Sequence, residues 1–335
     1  MAEEDDYPKS DGDVGYSSEI NKIKYDLVGE AICGDGSDGA LAVASGTTTI
    51  TDAVKRYTSL SVSNGATLAF SGKGKYVIYV QGDITLTGAV TINDKVGSSP
   101  TYLDATDAAD LADNITTGGS PGAIVPEIFS TFAGIFKKHG FLPESSDGGK
   151  GSTKDGVGVA TGGGGGGSAF VLGGDGSDPE SGALGGSAAT GGAGGNGKAS
   201  VLFICEGTVT INSTFTFAGN GNDGSDGSVG SIESAGGGGG GAAAIIGFFS
   251  KRSITTIAGA VFNITGGDGG DGGNNYRDGG GGGGGAGGAL VMIANDTVTH
   301  NATVNKAGGA VGALGSGGSA GTTGVEFTLD KFTIT

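Results

Sequence analysis

The chain has 335 residues, 77 of them glycine and only 6 proline, with no Gly-X-Y period, which excludes a collagen-like rod. Its formal net charge of −17 and pI near 4.3 disfavour nucleic acid as a partner, because an acidic surface repels phosphate. No apolar run is long enough for a membrane helix, which predicts no membrane insertion, and the 2 cysteines form neither a metal motif nor a disulfide framework.

The opening, MAEEDDYPKSDGD, is acidic and turn-rich and lacks the basic and apolar regions of a secretory signal. Residues 18–32 predict a short helix, with Ile20, Ile23, Leu27 and Val28 at helical spacing and Gly34 to stop it. One amphipathic helix cannot bury its own stripe. Residues 1–35 are therefore read as an N-terminal arm and helix whose stripe meets either a symmetric partner, with Ile20, Ile23 and Leu27 as oligomerisation contacts, or the chain's own β region.

Over residues 36–96 the period changes to two. The stretches TLAFS, YVIYV, DITLT and AVTIN predict short strands separated by turns such as Asn64-Gly65 and Gly82-Asp83. Residues 97–160 break that pattern and form a partly helical insertion. Its segment 126–139 begins at Pro126, ends before Gly140, and carries Ile128, Phe129, Phe132, Ile135 and Phe136 on one side.

Residues 161–335 form a glycine-rich β-repeat domain. Most of the glycine falls in residues 161–320, including the pure runs Gly162–Gly167, Gly236–Gly241 and Gly279–Gly285. The blocks beginning at Val77, Phe203, Ile245 and Leu290 each read as an apolar strand, a polar turn and alternating Thr/Ile-type strands. Ile84, Leu86, Val90 and Ile92 match Val209, Ile211, Phe215 and Phe217 at one constant offset. This predicts a mostly β protein of stacked coils, solenoid- or sandwich-like, each coil too small to bury its own apolar face. The glycine runs recur inside the repeats and abut the most apolar strands. They therefore predict packed polyglycine II helices, with three residues per turn and no internal hydrogen bonds, in preference to loose linkers.

The order of glycine run, ALVMIA-type strand, TVT-type strand and GGxGG turn resembles the glycine-rich tail-fibre and receptor-binding proteins of tailed viruses. The segment SDGDVGYSSEINKI (10–23) resembles the attachment segment near the start of many phage tail and fibre proteins, where it introduces a helix at a trimer axis. The resemblance implies a virion protein that forms a homo-oligomer, a trimer above all. Its partners would be other virion or tail proteins and a host surface glycan or protein. The alternatives are a self-assembling subunit of an extracellular filament or surface layer and a polysaccharide-degrading tailspike.

Four Asp/Gly turns offer oxygens to calcium, with Asp223, Asp226, Asp268 and Asp271 as the candidate ligands; the competing reading is solvated turns. No other cofactor is implied. The loop around Asn274, Asn275, Tyr276 and Arg277 sets an amphipathic ring and a planar cation among glycines, which suits receptor contact. No catalytic residues are assigned: there is no P-loop lysine and no Trp platform for sugar, and in so glycine-rich a chain a serine between spaced glycines carries no signal of a nucleophile. His300 sits in an alternating strand as a structural residue. An ice-binding surface would need Thr or Ala arrays recurring at one offset, and the turns vary too much in length for that.

Overall fold

The computed structural model describes residues 35–72, 75–94, 192, 195–229, 237–274, 281–313, 320–321 and 323–329. Within them lie eighteen short strands and no helix. The expected helices at 18–32 and 126–139 lie outside the described residues, as do Ile20, Ile23 and Leu27.

The strands form three parallel six-stranded sheets. The first holds β1 (Ala40–Val43), β4 (Ser59–Val62), β7 (Ile84–Leu86), β10 (Val209–Ile211), β13 (Ile254–Thr256) and β16 (Val298–Thr299). The second holds β2 (Thr47–Ile50), β5 (Thr67–Phe70), β8 (Ala89–Ile92), β11 (Thr216–Ala218), β14 (Val261–Asn263) and β17 (Thr303–Asn305). The third holds β3 (Val54–Tyr57), β6 (Lys75–Val80), β9 (Ser200–Cys205), β12 (Ile245–Ser250), β15 (Ala289–Ala294) and β18 (Val325–Leu329). Consecutive strands visit the three sheets in turn, so the chain winds through six coils of a solenoid. The strands of residues 36–96 and those after residue 161 share the same sheets.

Alternation explains the winding. In β7, Ile84 and Leu86 are fully buried while Thr85 is half-buried, and β10 and β13 repeat that pattern. Each coil points one row of apolar side chains inward and a polar row outward. Stacking places like on like: Ile84 pairs with Val209, and Val209 with Ile254. The interior is filled by aromatic rings as well as aliphatic rows. Phe203 stacks on Phe248 at 5.2 Å and meets Phe70 edge-on at 6.1 Å, and Phe248 meets Phe262 at 6.3 Å. Such contacts add about 0.5–1.5 kcal/mol each to the burial of the rings.

The third sheet differs, because β9, β12 and β15 are buried on both faces. Its inner row includes Phe203, Phe248 and Met292. Its outer row, Leu202, Ile204, Ile245, Phe249, Val291 and Ile293, is at most 4 % exposed.

The sequence match between coils holds in part. Val209 and Ile211 sit beside Ile84 and Leu86, the offset of 125 residues that also carries the Thr208–Asp83 hydrogen bond. In the next sheet the register advances. Phe217, not Phe215, lies beside Val90, and the Thr214–Thr87 bond spans 127 residues. The turn after β10 is two residues longer than the turn after β7. An even difference keeps the same face inward, so Phe215 is absorbed as an extra core residue with 0 % exposure.

Candidate functional site

Every long excursion of the chain leaves at one corner, between the second sheet and the third. In the third coil it is the segment between β8 and β9. In the next three coils it is the glycine-rich stretches 219–244, 264–288 and 306–324. Each stretch has an outgoing arm that leaves the second sheet and a returning arm that joins the third.

The arms bond to one another in steps of three residues. Outgoing arms of successive coils are tied by Gly221, Gly224 and Gly227 donating to the carbonyls of Thr265, Asp268 and Asp271, at 2.8–2.9 Å. Gly266, Gly269 and Gly272 repeat this towards Ala307, Ala310 and Ala313. Within a coil, Gly282, Gly285 and Gly288 of the returning arm donate to Gly270, Gly267 and Ile264 of the outgoing arm, running antiparallel. Gly267 and Gly270 then donate to Gly241 and Gly238 of the preceding coil. A Cβ on Gly240 would overlap the carbonyl of Gly267, and one on Gly267 would overlap the carbonyl of Asn222. The obstructing atoms are backbone and cannot rotate away, so these positions require glycine.

One row of non-glycine residues runs along each outgoing arm at a three-residue period: Asn220, Asp223 and Asp226, then Thr265, Asp268 and Asp271, then Ala307, Ala310 and Ala313, all exposed except the half-buried Thr265. Their side chains bond across coils. Asp223 Oδ1 accepts the Asp268 amide and Asp226 Oδ1 accepts the Asp271 amide, both at 2.8 Å. Asp268 and Asp271 in turn accept the amides of Ala310 and Ala313 at 2.7 and 2.6 Å. The four expected calcium ligands are therefore brought onto one surface, and each is engaged as an acceptor of backbone N–H. Among the described residues no cluster of His, Cys, Asp and Glu has the geometry to hold a metal ion.

Far along the described arms, Gly227 donates to the Asp271 carbonyl and Gly272 to the Ala313 carbonyl, so successive outgoing arms lie side by side there. Gly237 and Gly281 of the returning arms lie against Gly270 and Gly312. Asn274 is exposed; Asn275, Tyr276 and Arg277 lie outside the described residues.

The third-coil excursion is closed by a neck that the sequence does not reveal. Asp94 and Lys198 form an isolated antiparallel bridge. The Asp94 carboxylate accepts from Lys198 Nζ at 2.6 Å, Asn222 Nδ2 at 2.9 Å and Asn196 Nδ2 at 3.2 Å. Burial raises the pKa of this carboxyl, but the Lys198 ion pair and the two amide donors outweigh burial and hold it below the usual carboxylate range. These partners are separated by 104 residues in the Asp94–Lys198 case, so no local pattern marks them.

At the last coil, Thr256 Oγ1 accepts the amides of Asn301 and Ala302 and lies 3.0 Å from His300 Nδ1. His300 Nε2 lies 2.8 Å from Glu326 Oε1, which shares its carboxylate with Lys306. The order hydroxyl, imidazole, carboxylate matches a nucleophilic relay, but His300 Nε2 is buried and makes no hydrogen bond among the described residues, so the order is not a bonded relay. Here the hydroxyl is 0 % exposed and both its lone pairs are occupied, so it serves to fix the turn between β16 and β17.

The outer row of the first sheet corrects one expectation. Ala42, Ser61, Thr85, Thr210, Thr255 and Thr299 lie in register on six successive strands. Variable turn lengths do not break this array, because the corners absorb them. Comparison with family models, with curated proteins and with solved structures gives no match for the chain.

Proposed function

We propose that the protein is a non-enzymatic structural component of a viral particle, a tail-fibre or receptor-binding protein. In this reading the solenoid is a rigid stalk. The glycine arms are polyglycine II helices packed as a tip, and the loops along its distal edge meet a host surface glycan or protein. The observation that carries the reading is the stiff array of described arms, bonded side by side in steps of three residues as far as Gly227, Gly272 and Ala313, since binding residues belong on loops held by a rigid scaffold. The period of three in the inter-arm bonds supports the polyglycine II assignment: a helix with three residues per turn and no internal bonds directs successive amides to different neighbours. Residues 1–35 would attach to other tail proteins and set the oligomer, with Ile20, Ile23 and Leu27 at a trimer axis. Tyr276 and Arg277, with Asn274 and Asn275, would contact the receptor. Calcium has no necessary part in this arrangement.

The test pairs light scattering of the purified chain with binding of the labelled protein to whole cells. A closed trimer or monomer that binds cells, and loses binding in Tyr276→Ala and Arg277→Ala, supports the proposal. Open-ended polymers would replace it with a filament subunit. That alternative draws on the edge strands of the first and last coils, which pair on one side only among the described residues.

The threonine row favours a second reading, recognition of an ordered lattice such as ice. Parallel stacking repeats hydroxyl and methyl groups at about 4.8 Å. Thermal hysteresis in a freezing assay would support it, and unaltered ice growth would remove it.

A further inference from the structure

Each returning arm directs its amides by position. In 237–244, Gly238, Gly241 and Ala244 donate to the outgoing arm of the same coil, while Gly240 and Ala243 donate to the next returning arm. Successive residues of a three-per-turn helix point about 120° apart, so the remaining amides, of Gly239 and Ala242, point in a third direction. The arm 281–288 repeats this: Gly282, Gly285 and Gly288 serve the outgoing arm, and Gly283 and Ala286 belong to the third set. All four of these residues are buried, Ala242 at 1 % and Ala286 at 0 % exposure. Among the described residues no acceptor meets their amides. Buried backbone N–H groups are almost always paired, so this face of the array calls for a row of carbonyls at a three-residue period.

The strip continues into the solenoid. The two returning arms run directly into β12 and β15, on the sheet whose outer apolar row is closed from water. The complete covering element must therefore be a glycine run followed by apolar residues. Outside the described residues the chain holds such a segment: Gly162–Gly167 followed by Ser168, Ala169, Phe170, Val171 and Leu172. It has the same order as the second glycine run and β12, and as the third run and β15. It lies in the excursion whose ends are fastened at Asp94 and Lys198, beside β9. The residues between Gly167 and Gly192 can span roughly 80 Å when extended, ample to reach the strip.

We propose that residues 162–172 dock on this strip as a further layer of the array. The glycine run lies against the returning arms and accepts their third set of amides. Ala169–Leu172 lies over the outer row of the third sheet, against Leu202, Phe249 and Val291. This proposal is independent of the receptor-binding reading.

The test is residue-resolved hydrogen exchange of the full chain by NMR, with contacts read in the unmodified protein. The amides of Gly239, Ala242, Gly283 and Ala286 are expected to exchange slowly, and through-space contacts are expected from Phe170 or Leu172 to Leu202, Phe249 or Val291. Gly164→Val, Gly165→Val and Gly166→Val are made in turn. At least one side chain must then face the arms, and that variant should speed exchange of the four amides by about tenfold or more. Gly241, Gly285 and the β12 amides, which report the folded array, should keep their protection. Fast exchange of the four amides in the unmodified chain would overturn the proposal, as would absence of the Phe170 and Leu172 contacts. So would equal protection in all three variants, or protection that disappears on dilution, which would assign the face to a second copy. Loss of protection on deleting residues 97–160 alone would assign the cover to the segment 126–139 and would equally overturn it.

Discussion

An alanine scan of Gly266–Asp271 tests the packing of the arms directly. A Cβ at Gly266, Gly267, Gly269 or Gly270 would overlap the carbonyl of Gly285, Asn222, Gly282 or Ser225 respectively. Ordinary Cβ contacts begin near 3.4 Å, so each substitution forces two arms apart by about 1 Å. The inter-arm bonds of 2.8–2.9 Å would then stretch past any useful geometry. Overpacking costs about 1–3 kcal/mol and each lost hydrogen bond about 1 kcal/mol, which gives about 2–5 kcal/mol per glycine. Asp268 and Asp271 project outward and lose only one acceptor each, for Ala310 and Ala313, at about 0.5–1.5 kcal/mol. Urea unfolding followed by circular dichroism should therefore show two strong effects, one weak, two strong, one weak. Equal effects at all six positions, or none at the four glycines, would refute close packing of the arms.

Phe203→Ala removes a fully buried ring stacked at 5.2 Å on Phe248 and should lower stability by about 3–5 kcal/mol in the same assay. Asp223→Ala should destabilise the array while Asp223→Asn, which keeps an acceptor for the Asp268 amide, should be nearly neutral; chelation of calcium should leave the unfolding midpoint unchanged. Asp94 and Asp38 both have folded pKa values held below the unfolded value of 3.8. For Asp38 the Arg56 amide is the main cause; for Asp94 the donors act against burial. A carboxyl lowered in the fold stabilises above its unfolded pKa and loses that contribution as pH falls through the folded one. The unfolding midpoint should therefore decline between about pH 5 and pH 2, and Asp94→Asn should flatten that decline. Replacing residues 97–160 by a short linker should leave the solenoid's circular dichroism and midpoint intact, because the neck at Asp94, Lys198, Asn196 and Asn222 fastens both ends of the excursion from the solenoid side.

The stacked coils are legible in local alternation, because segments such as Ile84-Thr85-Leu86 and Val209-Thr210-Ile211 name the buried face of each strand. The sequence also requires that coils stack, since no single coil can bury its apolar row. Register came from the packed fold: the two extra residues after β10 move Phe217 beside Val90 and turn Phe215 into filling. The fold also decided what the aspartates do. Asp223, Asp226, Asp268 and Asp271 look like ligands in a string of glycines, and become amide acceptors once neighbouring arms lie a hydrogen bond apart. The threonine row and the neck were hidden for the same reason. Thr85 meets Thr210, and Asp94 meets Lys198, across more than a hundred residues. A sequence pattern specifies which side of a strand faces inward, whereas the partner across the next coil depends on the length of every turn and excursion between them.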